Sequence, residues 1–134
     1  MAYITPNSSD SKYYDLYIQG DGRLYANRNS SYLFYRFEYL DAINNANILD
    51  TSYVNIMSNM FNSAGSNAWN WNVGNLSNWK TSNVTNMSGM FAFVGISDTS
   101  TLDCSTWDVN KVTSYSNFDS GDVELRITPP KWVN

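Results

Sequence analysis

No histidine occurs among the 134 residues, which removes the commonest general base near neutral pH and the commonest transition-metal ligand. A single cysteine, Cys104, excludes an intrachain disulfide and thiolate zinc sites, and reads as a small buried apolar side chain. Eight Lys and Arg stand scattered against twelve Asp and Glu, so there is no basic cluster to neutralise a nucleic-acid backbone. No run approaches about 18 apolar residues, so no membrane span is expected. Residues 1–7 lack the basic-then-apolar order of a signal or transit peptide. Gly-rich phosphate loops and nucleophile elbows are absent too. The expectation is a non-enzyme with no catalytic residue, no cofactor and no metal, whose partners include neither nucleic acid nor membrane.

What is present is apolar and aromatic. Hydrophobic residues make up 43% and aromatics 16%, too rich a mixture for a disordered chain, and the length suits one domain over residues 1–134. Residues 49–61 (LDTSYVNIMSNMF) recur as residues 79–91 (WKTSNVTNMSGMF), with Val, Met, Met and Phe at identical offsets. Residues 107–118 (WDVNKVTSYSNF) keep the frame more loosely, with Tyr115 at the first Met position and Phe118 at the second. Alignment of Val54, Val84 and Val112 gives steps of 30 and 28 residues. The predicted repeat core is therefore Val54, Met57, Met60 and Phe61; Trp79, Val84, Met87, Met90 and Phe91; and Trp107, Val112, Tyr115 and Phe118.

Within each copy the offsets of zero, three, six and seven match one stripe of a short helix, with Thr51 or Ser52 and Thr81 or Ser82 placed to cap it. Apolar pieces at residues 43–49, 74–79 and 102–107 read as short strands. The resulting expectation is an α/β solenoid, a short leucine-rich-repeat-like coil of about three strand-plus-short-helix repeats. Residues 1–32 form its N-terminal cap, with a β-hairpin around Gly20-Asp21-Gly22; residues 33–118 are the repeats. In residues 119–134, Val123, Leu125 and Ile127 read as a C-terminal capping strand before Pro129 and Pro130. Nineteen Asn suit the corners, where side-chain amides can satisfy turn backbone.

The frame at residues 79–91 resembles the repeat of BspA-like bacterial surface proteins, a domain of unknown function common in mycoplasmas and Firmicutes. The resemblance extends over roughly residues 33–118. It implies an extracellular module for adhesion or protein contacts, displayed on a bacterial cell surface, and brings no catalytic residues. The chain carries no visible export signal, so a phage virion exterior is the alternative setting, with decoration of a capsid or tail lattice as the role. Expected partners are a protein or a surface glycan.

Acids offer the reading from another class. Asp98, Asp103 and Asp108, or Asp119 and Asp122, could flank a sugar as in a small glycan hydrolase or hold calcium in the fold, although solvated turn acids explain them more simply. Among aromatics, Trp79 and Trp107 recur in register and belong to the core, whereas Trp69 and Trp71 fall in an insert outside the frame. Those two, with Tyr13, Tyr14 and Tyr17, are the candidate binding surface. Unpaired strand edges also make self-association an expectation.

Overall fold

The computed structural model describes residues 2–6, 12–68, 70–95, 101–121 and 126–133. Its strands are β1 (Ala2–Pro6), β2 (Tyr14–Ile18), β3 (Leu24–Tyr25), β4 (Leu40–Asn44), β5 (Leu49–Asp50), β6 (Leu102–Asp103) and β7 (Ile127–Thr128). They form three small sheets, β1-β2-β4, β3-β5 and β6-β7. Apart from the antiparallel β1–β2 pair, neighbours run parallel. Beyond the strands, single parallel bridges join Asn29 to Ile56, Ile56 to Asn86, Asn86 to Ser114, and Ala42 to Asn72. The chain thus lays four like segments, or layers, side by side: residues 14–36, 40–66, 72–93 and 102–121.

The expected α/β solenoid is not what forms. The one helix among the described residues is a single 3-10 turn at Ala46–Ile48 with left-handed Asn45 before it. The predicted helices at Met57, Met87 and Tyr115 are instead chains of tight turns. Met60, Asn62 and Ala64 each donate to the carbonyl three residues back, while Met57, Asn59, Phe61 and Ser63 donate sideways to Asn86, Ser88, Met90 and Ala92. An α-helix would turn all these amides along one axis; here alternate amides are spent on the next layer. The left-handed residues that permit this stand in register: Tyr32 and Arg36, Asn59 and Ser63, Gly89 and Phe93, Asn117 and Gly121. Such a backbone costs roughly 1–2 kcal/mol for an ordinary side chain and suits Gly and Asn best. At Gly89 an added Cβ would also collide with Asn59 Oδ1.

The hairpin around Gly20-Asp21-Gly22 is corrected as well. β2 pairs with β1 and β4, and β3 pairs with β5, so the two expected arms do not pair with each other; both lie in the first layer and each runs parallel to a strand of the second. At the other end β7 pairs in parallel with β6, while Val123 and Leu125 of the expected capping strand lie outside the described residues. The strand expected at residues 74–79 is absent, its place held by turns.

Stacking like on like builds the core. Val54, Val84 and Val112 are buried, as are Met57, Met60, Met87 and Met90. Phe34, Phe61 and Phe91 stack with centroids 5.1 and 5.0 Å apart, and Trp79 stacks on Trp107 at 6.2 Å. The indoles satisfy their own polar atom: Trp79 Nε1 donates to the Ala46 carbonyl and Trp107 Nε1 to that of Leu76, each at 3.0 Å. Thr51 does not cap a helix. Its hydroxyl accepts from Lys80 N at 2.8 Å and donates to Lys80 O at 3.1 Å, tying two layers together.

Candidate lateral binding surface

Because equivalent residues of successive layers lie side by side, distant side chains meet on the flank of the stack. β3 pairs with β5, which sets Tyr25 against Asp50 and brings the Tyr25 and Tyr53 rings to 5.7 Å. Both rings are about half exposed, at 52% and 55%. Beside them lies a groove of about 240 Å³ lined by Arg23, Asn47, Ile48, Leu49, Asp50, Thr51, Asn78 and Lys80. Arg23 spans the two features, with its guanidinium 3.8 Å from the Asp50 carboxylate. Hydrogen bonding to the Tyr25 hydroxyl, then the charges of Tyr25 and Asp50, lift its affinity for the proton above the ordinary arginine range. Asp50 is held below the usual carboxylate range, first by the Ser52 hydroxyl and Ser52 amide and then by Lys80 and Arg23.

Along the same flank, Lys111 Nζ donates to Asn83 Oδ1 at 2.9 Å, and Asn83 Nδ2 donates to the Ser52 carbonyl at 3.0 Å. Asn78 Nδ2 reaches the Asn47 carbonyl at 2.9 Å. The flank therefore combines two aromatic faces, fixed cations and amides on a scaffold whose backbone is already bonded. Such a mixture suits stacking and hydrogen bonding with a polar ligand.

The aromatics singled out from sequence do not gather into one surface. Trp71 is buried at 5% exposure and meets Phe61 and Phe91 edge-on at 6.4 and 6.3 Å. Trp69 lies outside the described residues. Tyr17 stacks on Tyr3 at 5.2 Å, and Tyr13 tilts against Tyr39 at 6.1 Å with the Lys12 amine 4.9 Å from the Tyr39 ring. Tyr14 is half-buried, and that burial together with the Glu38 charge raises its pKa. The Tyr25–Tyr53 pair escapes sequence reasoning because the two tyrosines hold different offsets in their copies and meet only through layer pairing.

The acids sit in turns. Asp50, Asp103 and Asp108 each accept the amide two residues on through Oδ1, at 3.0, 2.9 and 3.0 Å, as Asn75 and Asn86 do at 2.9 Å. Asp103 is held below the usual range by the Ser105 hydroxyl and amide. Asp98 and Asp122 lie outside the described residues. Cys104 is buried, and desolvation followed by the charges of Asp103 and Asp119 drives its thiol pKa far up, so it stays protonated and unreactive. Among the described residues no three acidic or cysteine side chains converge as a metal site would need, and no helix is long and apolar enough to cross a membrane.

A family model described as "Mycoplasma protein of unknown function, DUF285" matches residues 28–127. The match takes in the three copies read from sequence and begins inside the first layer, at Arg28. Comparison with curated proteins and with solved structures yields no match.

Proposed function

The chain belongs to the DUF285 family of Mycoplasma proteins of unknown function, and we propose that it is a non-enzymatic binding module, with repeats of the BspA-like type, that is displayed outside the cell. The observation that carries this reading is the lateral surface, where Tyr25 and Tyr53 stand half exposed beside the groove of Arg23, Asp50 and Lys80. The layers behind it engage their backbone and apolar side chains with one another, leaving the flank as the place where side chains vary without cost to packing. Adhesion through a surface glycan or a protein is the role that fits. Decoration of a phage capsid or tail is the same module in a different setting.

The test is binding of the intact protein to arrayed bacterial surface polysaccharides, extracellular host proteins and purified phage particles, run beside a Tyr25→Ala/Tyr53→Ala variant. The expected result is saturable binding that weakens at least about tenfold when both rings go, since stacking anchors are worth about 1–3 kcal/mol each. Binding unaffected by the double substitution sinks the assignment of this surface. Cleavage of a bound glycan, lost in Asp103→Asn or Asp108→Asn, overturns the non-enzymatic reading.

A further inference from the structure

The end of the stack formed by β1 and residues 29–37 is finished differently from every inner layer. Inside, the carbonyls of Ile56, Ser58, Met60 and Asn62 accept from the first layer, those of Asn86, Ser88, Met90 and Ala92 from the second, and those of Ser114, Ser116, Phe118 and Ser120 from the third. The equivalent carbonyls of the first layer, on Asn29, Ser31, Leu33 and Tyr35, accept from no donor among the described residues. Leu33 holds the register position of Met60 and Met90, yet it is 46% exposed where they are 0%. Of the eleven exposed large apolar side chains among the described residues, six lie on β1 or residues 29–37: Tyr3, Ile4, Tyr32, Leu33, Tyr35 and Phe37. That concentration marks an interaction face rather than scattered surface residues.

Three features identify the occupant. β1 lies antiparallel along β2, where the parallel strand of a further layer would run, so this end does not continue the stack in register. Among the described residues the opposite end is covered instead, because Trp132 stacks on Tyr115 at 4.3 Å and meets Phe118 edge-on at 5.1 Å. Donor and acceptor are both present on the first layer itself. Arg28 and Arg36, both exposed, stand on either side of the bare carbonyl row in the sequence; Arg36 donates to Glu38 Oε1 at 3.3 Å, whereas Arg28 makes no side-chain hydrogen bond or ion pair among the described residues. Residues 1–38 hold four Lys and Arg against four Asp and Glu, so two copies of this face meet without net repulsion.

From these features we infer that this face binds a second copy of itself, forming a closed two-fold dimer. Leu33, Tyr32, Tyr35 and Phe37 of the two copies face one another, and Arg28 of each copy donates to the carbonyls of the other. A self-complementary patch closes after two subunits, whereas an end-to-opposite-end contact would propagate. Edge pairing between the outer sides of the two β1 strands is compatible with the same axis.

Sedimentation equilibrium and light scattering over a concentration series test this on the intact protein. The expected outcome is a mass rising from the 15.2 kDa monomer to a plateau at twice that value, with a dissociation constant of about 1 μM or weaker for a small polar-rimmed face. Leu33→Glu weakens the dimer at least about tenfold while leaving the circular dichroism, and the melting temperature of the dilute monomer, unchanged. Val133→Glu, at the opposite end, leaves it intact. A monomer at every concentration, a dimer indifferent to Leu33→Glu, or an open-ended series of larger species each overturns the inference.

Discussion

The two ends of the stack solve the same problem in opposite ways. At the C-terminal end the last layer lacks the core phenylalanine, since Asp119 stands where Phe34, Phe61 and Phe91 stack in the earlier layers. The tail compensates by laying Trp132 over Tyr115 and Phe118, and Phe118 stays buried. At the N-terminal end the Phe34 column is intact, but nothing among the described residues covers Leu33 and the carbonyl row. One end is closed by a side chain from outside the repeat, while among the described residues the other keeps an exposed leucine and a row of unbonded carbonyls. A stack of like layers needs a cover only where burial is at stake for its stability; an end left bare is available for contact.

Removing the cover is the strongest way to break this contrast. Trp132→Ala strips the ring partner from Tyr115 and Phe118 and opens the last layer to water. We expect a loss of about 2 kcal/mol, below the 3–5 kcal/mol of a fully buried tryptophan because Trp132 is only partly buried. Leu33→Ala at the other end should cost less than about 0.5 kcal/mol in the monomer. Urea unfolding of the two variants at low protein concentration reads the difference directly. Equal losses would show that the bare end matters to stability no less than the capped one.

How far these ends can be read from sequence differs in the same way. The steps of 30 and 28 residues reappear as the bridges from Ile56 to Asn86 and from Asn86 to Ser114, and the Val, Met and Phe columns follow the same spacing. The first layer is hidden. Residues 29–34 share Asn, Ser and Phe with residues 86–91, but Tyr32 and Leu33 replace Gly and Met, and no lead Val precedes them. The helix reading fails for a physical reason: offsets of three, six and seven point inward in a chain of tight turns as well as in a helix. Asn59, Gly89 and Asn117 at one offset are the available sign, since residues that tolerate a left-handed backbone at a fixed position of a repeat argue for turns. Trp71 falls outside the frame and still packs inside, because Gly65 leaves room for its indole; a Cβ there would run into the ring and the Leu40 carbonyl.

A second contrast lies between two threonines at one register position. Thr51 Oγ1 both accepts from and donates to the Lys80 backbone, whereas the equivalent hydroxyl of Thr81 is buried with no partner among the described residues. Facing Thr81, the next layer puts Asp108, whose carboxylate is engaged with the Asn110 amide. Thr51→Val removes a doubly bonded hydroxyl and leaves Lys80 N short of an acceptor, for a cost of about 1–2 kcal/mol. Thr81→Val removes a hydroxyl that gains nothing from its burial and should be neutral or stabilising by up to about 1 kcal/mol. Thermal melts of the two single variants give the answer, and equal destabilisation would show that Thr81 has a donor or acceptor in solution.

The smallest expected difference concerns acid. Asp50 near the N-terminal end and Asp103 near the C-terminal end make the same turn, each carboxylate bound by the serine two residues on. Both are held below the usual carboxylate range, first by the serine hydroxyl and then by its amide. A carboxylate with a folded-state pKa below its unfolded value stabilises above the unfolded pKa, and that contribution fades as pH falls through the folded value. Both turns should therefore weaken only below about pH 4. They part in their response to salt, because Asp50 also has Lys80 and Arg23 nearby while no cation contributes at Asp103. Exposed charge pairs are screened within about 10 Å at 0.1 M salt, whereas a serine hydrogen bond is not. Carboxyl carbon NMR titrations at low and high salt should show the Asp50 pKa moving upward with salt and that of Asp103 standing still. A matching shift at Asp103 would mean that distant charge, rather than the local turn, sets both.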